Sequence, residues 1–255
     1  MEEDTKAVRL ATTAPTNVMF GKYFYRSGIN YSMKRELKSI VDSIIPLMNF
    51  KENNLWCDLA SNDGTLLSYV PKSFIKIGIE PAEDSFKIEC EKQCNLVIQD
   101  FFTADIFKNS KFGNQKCKAI TCIAMFYDVS TPDKFLQDIC EILDDEGLLV
   151  MQLSHSGIMI NQVAFDGILS EHVYYYTLNS LNVYLQRNGL KVVDCQLNDT
   201  NGGSFRVYIR KQKSDDNLFA TRPYRDVCSY RINSLMNYEN TLNLGECETW
   251  MKFYE

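Results

Sequence analysis

Hydrophobic residues follow two different periods along this chain. Between Tyr31 and Met48 they recur at every third or fourth position, which is the period of an amphipathic helix, and Ser32 is its expected N-cap. Farther along, short apolar runs alternate with helical stretches, a pattern typical of a parallel sheet with crossover helices. We place the strands at 55–59, 75–79, 95–98, 118–124 and 147–153, and the intervening helices at 64–69, 82–92 and 132–143.

The second half of the chain continues this alternation and then changes it. A helix at 179–188 precedes two strands at 191–196 and 204–210. The turn-forming sequence Asn-Asp-Thr-Asn-Gly-Gly at 198–203 separates these strands, so we expect them to pair as a hairpin. The whole pattern predicts a doubly wound α/β sheet.

Both ends of the chain lie outside this alternation. Residues 1–20 show no period and are expected to form an ordered arm at most. A polar stretch begins at Ser214, and residues 226–254 beyond it predict one or two helices. The sheet is therefore expected to carry N-terminal and C-terminal helical additions.

Composition and charge narrow the possible partners. The 33 acidic residues outnumber the 27 basic ones and give a net charge of −6, which argues against a nucleic-acid partner. No apolar run approaches the ~20 residues that a membrane-spanning helix needs. The acidic start Met-Glu-Glu-Asp does not resemble a secretory signal. We therefore expect a cytoplasmic protein without membrane contact, whose nine cysteines are reduced thiols.

The spacing of cysteine and histidine does not predict a metal site. The closest cysteine pairs, Cys90/Cys94 and Cys117/Cys122, lack the Cys-x-x-Cys spacing of a zinc half-site. The chain has only two histidines. We therefore expect no metal.

The strongest chemical signal is the segment Leu-Trp-Cys-Asp-Leu-Ala-Ser-Asn-Asp-Gly-Thr-Leu-Leu at 55–67. An apolar strand runs into a tight turn of small residues, and a helix follows at once. Ligands of doubly wound sheets bind beyond the carboxyl ends of the strands, and small residues there let the backbone approach them. Ala60 and Asn62 stand where glycines are common, which counts against a dinucleotide. Taken alone, the motif is also compatible with a tight turn that binds nothing.

Two further elements follow the next two strands. Glu80, in Gly-Ile-Glu-Pro at 78–81, can accept both hydrogen bonds of a ribose diol. Asp100 stands beside Phe101 and Phe102, and an acid beside aromatic rings suits an adenine base. Three such elements at three successive strand ends predict a nucleoside-containing cofactor.

Four segments resemble the sugar C-methyltransferase family, whose members methylate nucleotide-linked deoxysugars. They are Ser-Asn-Asp-Gly-Thr-Leu-Leu at 61–67, Gly-Ile-Glu-Pro at 78–81, Glu-His-x-x-Tyr at 171–175 and Gly-Gly-Ser-x-Arg at 202–206. A tyrosine-rich segment at 23–28 extends the resemblance, which covers about residues 20 to 245. It implies a seven-stranded class I methyltransferase (Rossmann-like) sheet with S-adenosyl-L-methionine as the cofactor. Members of the family also carry an N-terminal zinc module and a C-terminal α/β domain, so we expect a short, stand-alone version.

The expected domain plan follows from this resemblance. Residues 1–48 are expected to form an arm and a helix over the cofactor site. Residues 49–213 are expected to bind the cofactor, and 214–255 to form a linker and a helical tail. The predicted cofactor-binding residues are Asp58, Ala60, Ser61, Asn62, Gly64, Glu80, Pro81, Asp100, Phe101, Phe102 and Ala124.

His172 is the predicted general base, because imidazole exchanges protons near neutral pH and the family match falls on Glu171-His172. Glu171 is expected to orient the ring or to bind a substrate hydroxyl. His155 is the competing base, and a hydrogen-bonded structural histidine is the alternative for either residue. The predicted substrate-binding residues are Tyr23, Tyr25, Tyr127, His155, Tyr175 and Arg206, with core packing as the alternative for the tyrosines and an exposed strand position as that for the arginine.

The predicted reaction is methyl transfer to a small nucleotide-activated or phosphorylated compound of glycan or capsule biosynthesis. Oxygen is favoured as the acceptor atom, on a sugar or a phosphoramidate-type modifier, because one base and a positioned hydroxyl suffice. C-methylation of a nucleotide-linked keto-deoxysugar is the first alternative. A non-catalytic methyltransferase-like subunit is the second, and residues 226–254 are then an interface for a homo- or hetero-oligomer.

Overall fold

The computed structural model describes residues 1–20, 24–215 and 222–255. Its strands are β1 Val8–Arg9, β2 Leu55–Leu59, β3 Ile75–Ile79, β4 Leu96–Ile98, β5 Cys117–Ile123, β6 Leu143–Ser154, β7 Tyr174–Tyr175, β8 Leu190–Asn198 and β9 Ser204–Lys211. Its α-helices are α1 Thr16–Phe20, α2 Tyr31–Ile44, α3 Thr65–Tyr69, α4 Asp84–Glu91, α5 Ala104–Lys108, α6 Pro132–Ile142, α7 Ser156–Asn161, α8 Leu178–Arg187, α9 Arg222–Thr241 and α10 Cys247–Tyr254.

Seven of these strands form one sheet in the order β4-β3-β2-β5-β6-β9-β8. The first five pair in parallel, and β9 lies antiparallel between β6 and β8. The predicted doubly wound sheet and its closing hairpin are therefore confirmed. The first two sheet strands, Leu55–Leu59 and Ile75–Ile79, begin and end at the predicted residues.

Helices cover both faces of the sheet. One apolar cluster joins the sheet to α2 and α3 through residues such as Ile40 and Leu67, and a second joins it to α6 and α8 through residues such as Leu136 and Leu185. All five residues of β2 are buried, as expected for a central parallel strand with covered faces. This arrangement directs the carboxyl ends of β2 to β5 towards one edge of the domain.

Helix α2 begins two residues before the position expected from a cap at Ser32. Its N-cap is Asn30, whose Oδ1 accepts a hydrogen bond from the backbone N–H of Ser32 at 2.9 Å. The prediction of Ser32 as the cap was wrong, because asparagine caps a helix as well as serine does and the preceding backbone is already extended.

The N-terminal arm has more structure than its sequence predicts. β1 pairs antiparallel with β7, where Val8 is opposite Tyr175. The carboxylate of Glu2 accepts hydrogen bonds from the hydroxyls of Tyr174, at 3.0 Å, and Tyr184. A two-residue strand is too short to show a period, so these contacts could not be inferred from the pattern.

The predicted C-terminal helices form as α9 and α10, and α9 packs on the sheet. Arg231 donates from Nε to Oδ1 of buried Asp194 on β8 at 2.8 Å. Glu239 accepts hydrogen bonds from the backbone N–H groups of Leu178 and Asn179 at the start of α8, at 2.5 and 2.8 Å. Within the three described ranges, no helix has the length and apolar character required to cross a membrane.

Candidate cofactor and acceptor site

A cavity of about 720 Å³ opens at the carboxyl ends of the parallel strands. Its volume lies within the range typical of small-molecule sites. Residues that follow β2, β3, β4 and β5 line it, and Tyr25, Ser27, Met33 and Leu37 close it from the N-terminal side. The predicted cofactor residues that line the cavity are Asp58, Ala60, Ser61, Asn62, Glu80, Pro81, Asp100, Phe101, Phe102 and Ala124.

The turn after β2 has an unusual backbone for its sequence. Ala60 and Asn62 adopt left-handed conformations with φ of 55° and 52°. Asparagine tolerates this region, and alanine is strained there. Asn62 also ties the turn to the N-terminal segment, since its Oδ1 accepts from the N–H of Ser27 and its Nδ2 donates to the carbonyl of Tyr25, both at 3.0 Å.

Glu80 is oriented by the backbone around it. Its Oε2 accepts from the N–H of Asn62 at 2.7 Å and its Oε1 from the N–H of Ala82 at 2.9 Å. Each carboxylate oxygen therefore keeps a lone pair for a further donor. Burial raises the pKa of Glu80, and the two backbone donors, which stabilise the charged form, oppose that rise. A buried carboxylate fixed in this way fits the two hydroxyls of a ribose.

Asp58 lies at the end of β2 in a short hydrogen-bond chain. The indole Nε1 of Trp56 donates to Oγ1 of Thr121 at 3.2 Å, and this hydroxyl donates to Oδ1 of Asp58 at 2.6 Å. Burial raises the pKa of Asp58 to about 7, although the Thr121 hydrogen bond acts in the opposite direction. A buried carboxyl group with this raised pKa can bind a positively charged group of a ligand.

An aromatic surface follows β4. Phe101 and Phe102 line the cavity, and the ring of Phe102 packs edge-on against that of Phe135 with centroids 5.2 Å apart. Asp100 accepts from the N–H of Phe101 at 2.7 Å. Aromatic rings can contact the face of a purine, and the neighbouring acid can accept a hydrogen bond from the amino group of the purine.

The turn after β5 supplies a residue that sequence reasoning missed. Ala124 has φ of 54°, and the 3₁₀ turn Phe126–Asp128 brings Tyr127 and Asp128 to the cavity wall. Oδ1 of Asp128 is buried and has no hydrogen-bond partner among the described residues. Burial, with a further contribution from the charge of Glu171, raises the pKa of Asp128 to about 9. The available signal was an acid five residues beyond a strand end, which is weaker than that of Glu80, the residue directly after β3.

The predicted catalytic pair lies beside this turn and not on the cavity wall. The His172 ring packs against Tyr127 with centroids 4.2 Å apart, and neither Glu171 nor His172 lines the cavity. Burial lowers the pKa of His172, and the charge of Glu171 partly offsets this. Tyr175, a predicted substrate residue, is also buried away from the cavity, and its ring centroid lies 6.5 Å from that of His172.

His155 and Arg206 were predicted to contact the substrate, and the structure places both elsewhere. His155 is fully buried, and its Nε2 is 2.9 Å from Oε1 of Glu239. Arg206 is buried as well and donates from Nη2 to Oε1 of Glu36 on α2 at 2.7 Å. Each side chain is bound to an acid within the protein, so neither is available to the cavity.

Gly64, a predicted cofactor-binding residue, does not line the cavity. It precedes α3 with φ of 76°, and a Cβ there would lie 2.9 Å from the Cα of Cys90. Its role is thus close packing of the turn against α4. Tyr23 lies outside the described residues, whereas Tyr25 and Tyr127 line the cavity. No cluster of three metal-ligating side chains occurs in the described part of the chain.

Comparisons with known proteins agree with this geometry. The sequence model of a methyltransferase domain family matches residues 29–194. C-methyltransferase NovU of Streptomyces niveus is 22% identical over 200 residues, which are 78% of this chain and 47% of that protein. The chain thus spans about half the length of this curated relative.

Solved structures share the fold at low sequence identity. An S-adenosylmethionine-dependent methyltransferase from Clostridium acetobutylicum has a TM-score of 0.52 and 14% identity, over 72% of this chain and 92% of that one. Magnesium protoporphyrin IX methyltransferase from Synechocystis, solved with S-adenosylhomocysteine, has a TM-score of 0.52 and 12% identity, over 72% and 89%. Because the family model matches well over half of the residues, this chain belongs to the methyltransferase domain family.

Proposed function

We propose that this enzyme methylates a hydroxyl oxygen of a small, sugar-like acceptor in glycan or capsule biosynthesis. The observation that supports it is the polarity of the cavity wall. Among the described lining residues are four carboxylic acids, Asp58, Glu80, Asp100 and Asp128, together with hydroxyl groups and aromatic rings, but no lysine or arginine. Such a wall favours a neutral, hydrogen-bonding acceptor.

The same wall disfavours an anionic oxygen as the methyl acceptor. Phosphate groups are usually bound by arginine, lysine or several backbone N–H donors, and carboxylates in their place would repel them. For a nucleotide-linked sugar, we therefore propose that the sugar enters the cavity and the phosphates stay outside its described wall. A phosphoramidate-type modifier, whose reacting oxygen is itself charged, fits less well.

We propose that the predicted cofactor residues bind different parts of S-adenosylmethionine along the cavity. Glu80 would hold the ribose diol, Asp58 an ammonium group, and Phe101 with Asp100 the purine. S-adenosylmethionine, when bound, supplies an electrophilic methyl group. The residues after β5, with Tyr127 and Asp128, are then left for the acceptor.

C-methylation of a keto sugar is the second candidate, because one relative is a C-methyltransferase. That reaction needs a base to remove a proton from carbon. Glu171 and His172 lie behind Tyr127 and would have to reach the acceptor past this ring. A sugar hydroxyl loses its proton more readily than a carbon beside a ketone, so oxygen transfer does not require this pair, and for that reason we place it first.

Product analysis distinguishes the two reactions. The purified protein would be incubated with methyl-labelled S-adenosylmethionine and a set of nucleoside-diphosphate hexoses, some with free hydroxyls only and some with a ketone. We expect a mass gain of one methyl group and the NMR signal of a methyl ether. A methyl group bonded to carbon would replace the proposal by its alternative, and label found only on phosphate oxygen would refute both.

A further inference from the structure

Among the described residues, Oδ1 of Asp128 lacks the hydrogen-bond partner that the other buried acids of the cavity wall have. Asp58 accepts from Thr121, and Glu80 accepts from two backbone N–H groups. Oδ1 of Asp128 is buried beside the cavity with no hydrogen-bond partner in the described part of the protein. A buried polar atom without a partner destabilises a protein, so its presence on a cavity wall indicates that a ligand completes the site.

The surroundings of Asp128 also limit what that ligand group can be. No lysine or arginine among the described residues lines the cavity, so an internal ion pair does not explain the acid. Glu171, Tyr175 and Cys122 interact electrostatically with Asp128. Asp58 and Glu80 lie on the same cavity wall, and His172 packs on the neighbouring Tyr127. A donor such as a hydroxyl group satisfies a carboxyl oxygen in this position.

We propose that Asp128 binds the reacting hydroxyl of the acceptor and takes up its proton, and that the positive charge of the cofactor prepares it to do so. The inference rests on the proposed oxygen transfer. The acceptor oxygen forms its bond to the methyl carbon with a lone pair, and the hydroxyl proton passes to Oδ1 of Asp128. The electron pair of the broken carbon–sulfur bond stays on sulfur, so atoms and charge balance.

The protonation state of Asp128 explains why the cofactor charge matters. With a pKa of about 9, the group holds its own proton near neutral pH and cannot accept another. A cation in the same cavity favours the charged form of a carboxyl and lowers its pKa. Asp128 thus becomes a base only when a positively charged cofactor is bound. Without the cofactor, it takes up no proton from the acceptor.

Two probes isolate this effect, because S-adenosylmethionine and S-adenosylhomocysteine differ by the sulfonium charge and its methyl group. Each would be titrated into the protein by calorimetry at pH 7.5, in two buffers of different ionisation enthalpy, to count the protons released. We expect S-adenosylmethionine to release up to about one proton more than S-adenosylhomocysteine. In Asp128→Asn this excess should fall below half of the wild-type value, while affinity for S-adenosylhomocysteine stays within about threefold.

The matched control is Asp138→Asn, since Asp138 is a buried acid on α6 that pairs with Lys134 outside the cavity. It should keep the wild-type excess. Asp128→Ser serves as a second variant if Asp128→Asn does not fold. An excess in either folded Asp128 variant at or above half of the wild-type value would overturn the inference.

The rate measurement separates this inference from the proposed function. With any hexose that accepts label, Asp128→Asn should lower kcat by about 100-fold or more, and Asp138→Asn by less than about threefold. A proton excess that depends on Asp128, together with methylation of carbon only, would refute the oxygen-transfer proposal and leave the protonation behaviour of Asp128 intact. Oxygen methylation at an unchanged rate in Asp128→Asn would refute the role of Asp128 alone.

Discussion

Tyr127 lines the cavity and also packs against His172, with the two ring centroids 4.2 Å apart and the ring planes at 50°. The phenol ring of Tyr127 therefore lies between the imidazole and the cavity. Burial lowers the pKa of His172, so the ring is uncharged at neutral pH. We infer that His172 positions Tyr127 and the turn that carries Asp128.

This position leads to a prediction for His172→Asn. Loss of the ring should lower turnover by about tenfold or more and shift the pH dependence of kcat, because Tyr127 loses its support. Affinity for S-adenosylhomocysteine should stay within about twofold. His172→Phe keeps a ring against Tyr127 and should restore most of the rate. If His172→Phe is as slow as His172→Asn, then the imidazole itself exchanges a proton in the reaction.

His155 should matter for stability and not for chemistry. His155 and Glu239 are buried together, at 0% and 1% side-chain exposure, and Glu239 also accepts from two N–H groups of α8. His155→Ala leaves a buried carboxylate without one of its partners, which costs about 1–3 kcal/mol. We expect a lower midpoint of urea unfolding, with kcat of the folded enzyme within about threefold of wild type. A selective loss of kcat at unchanged stability would restore His155 as a candidate base.

The parts of the site that the sequence predicts are those that a strand positions. Glu80 and Asp58 lie at the ends of short apolar runs, so their direction follows from the sheet alone. Asp128 was missed because it comes five residues after Ile123, and its direction depends on the left-handed Ala124 and a 3₁₀ turn. Neither feature has a strong sequence signal.

Long-range pairing explains why two predicted substrate residues lie away from the cavity. Arg206 was predicted to bind the substrate, but its partner Glu36 lies 170 positions earlier in the chain. His155 has its partner 84 positions later. A single sequence does not reveal such pairs. It does not distinguish a charged residue whose partner is a ligand from one whose partner lies on a distant helix.

Stability should depend on the pH through Asp128. Its pKa is raised from 3.8 to about 9, so the folded protein binds a proton that the unfolded chain has lost. The loss of stability is absent below pH 3.8, the pKa in the unfolded chain, and grows as the pH rises towards about 9, the pKa in the folded protein. Asp128→Asn should therefore raise the melting temperature at pH 8, and raise it less at pH 5. A variant that melts below wild type at both pH values would show that the carboxyl has a partner in the folded protein.

The binding role of Glu80 is tested by two substitutions. Glu80→Ala removes the carboxylate that accepts from Asn62 and Ala82, and with it the expected bonds to the ribose. Hydrogen bonds to a charged group contribute about 1.5–3 kcal/mol, so affinity for S-adenosylhomocysteine should fall by about ten- to hundredfold. Glu80→Gln keeps the shape and should lose less. Calorimetry with unchanged affinity in Glu80→Ala would exclude the ribose contact.

The strained backbone of Ala60 gives the last prediction. Ala60 has φ of 55°, a conformation that costs a residue with a Cβ about 1–2 kcal/mol. Glycine removes that strain and increases the entropy of the unfolded chain, which offsets about 0.4–1 kcal/mol. Ala60→Gly should thus leave the free energy of unfolding unchanged or raise it by up to about 1.5 kcal/mol. The control is Ala119→Gly on β5, at a buried position whose φ is not positive, where glycine should destabilise. Equal destabilisation by both substitutions, measured by urea unfolding, would show that Ala60 contributes contacts that outweigh its backbone strain.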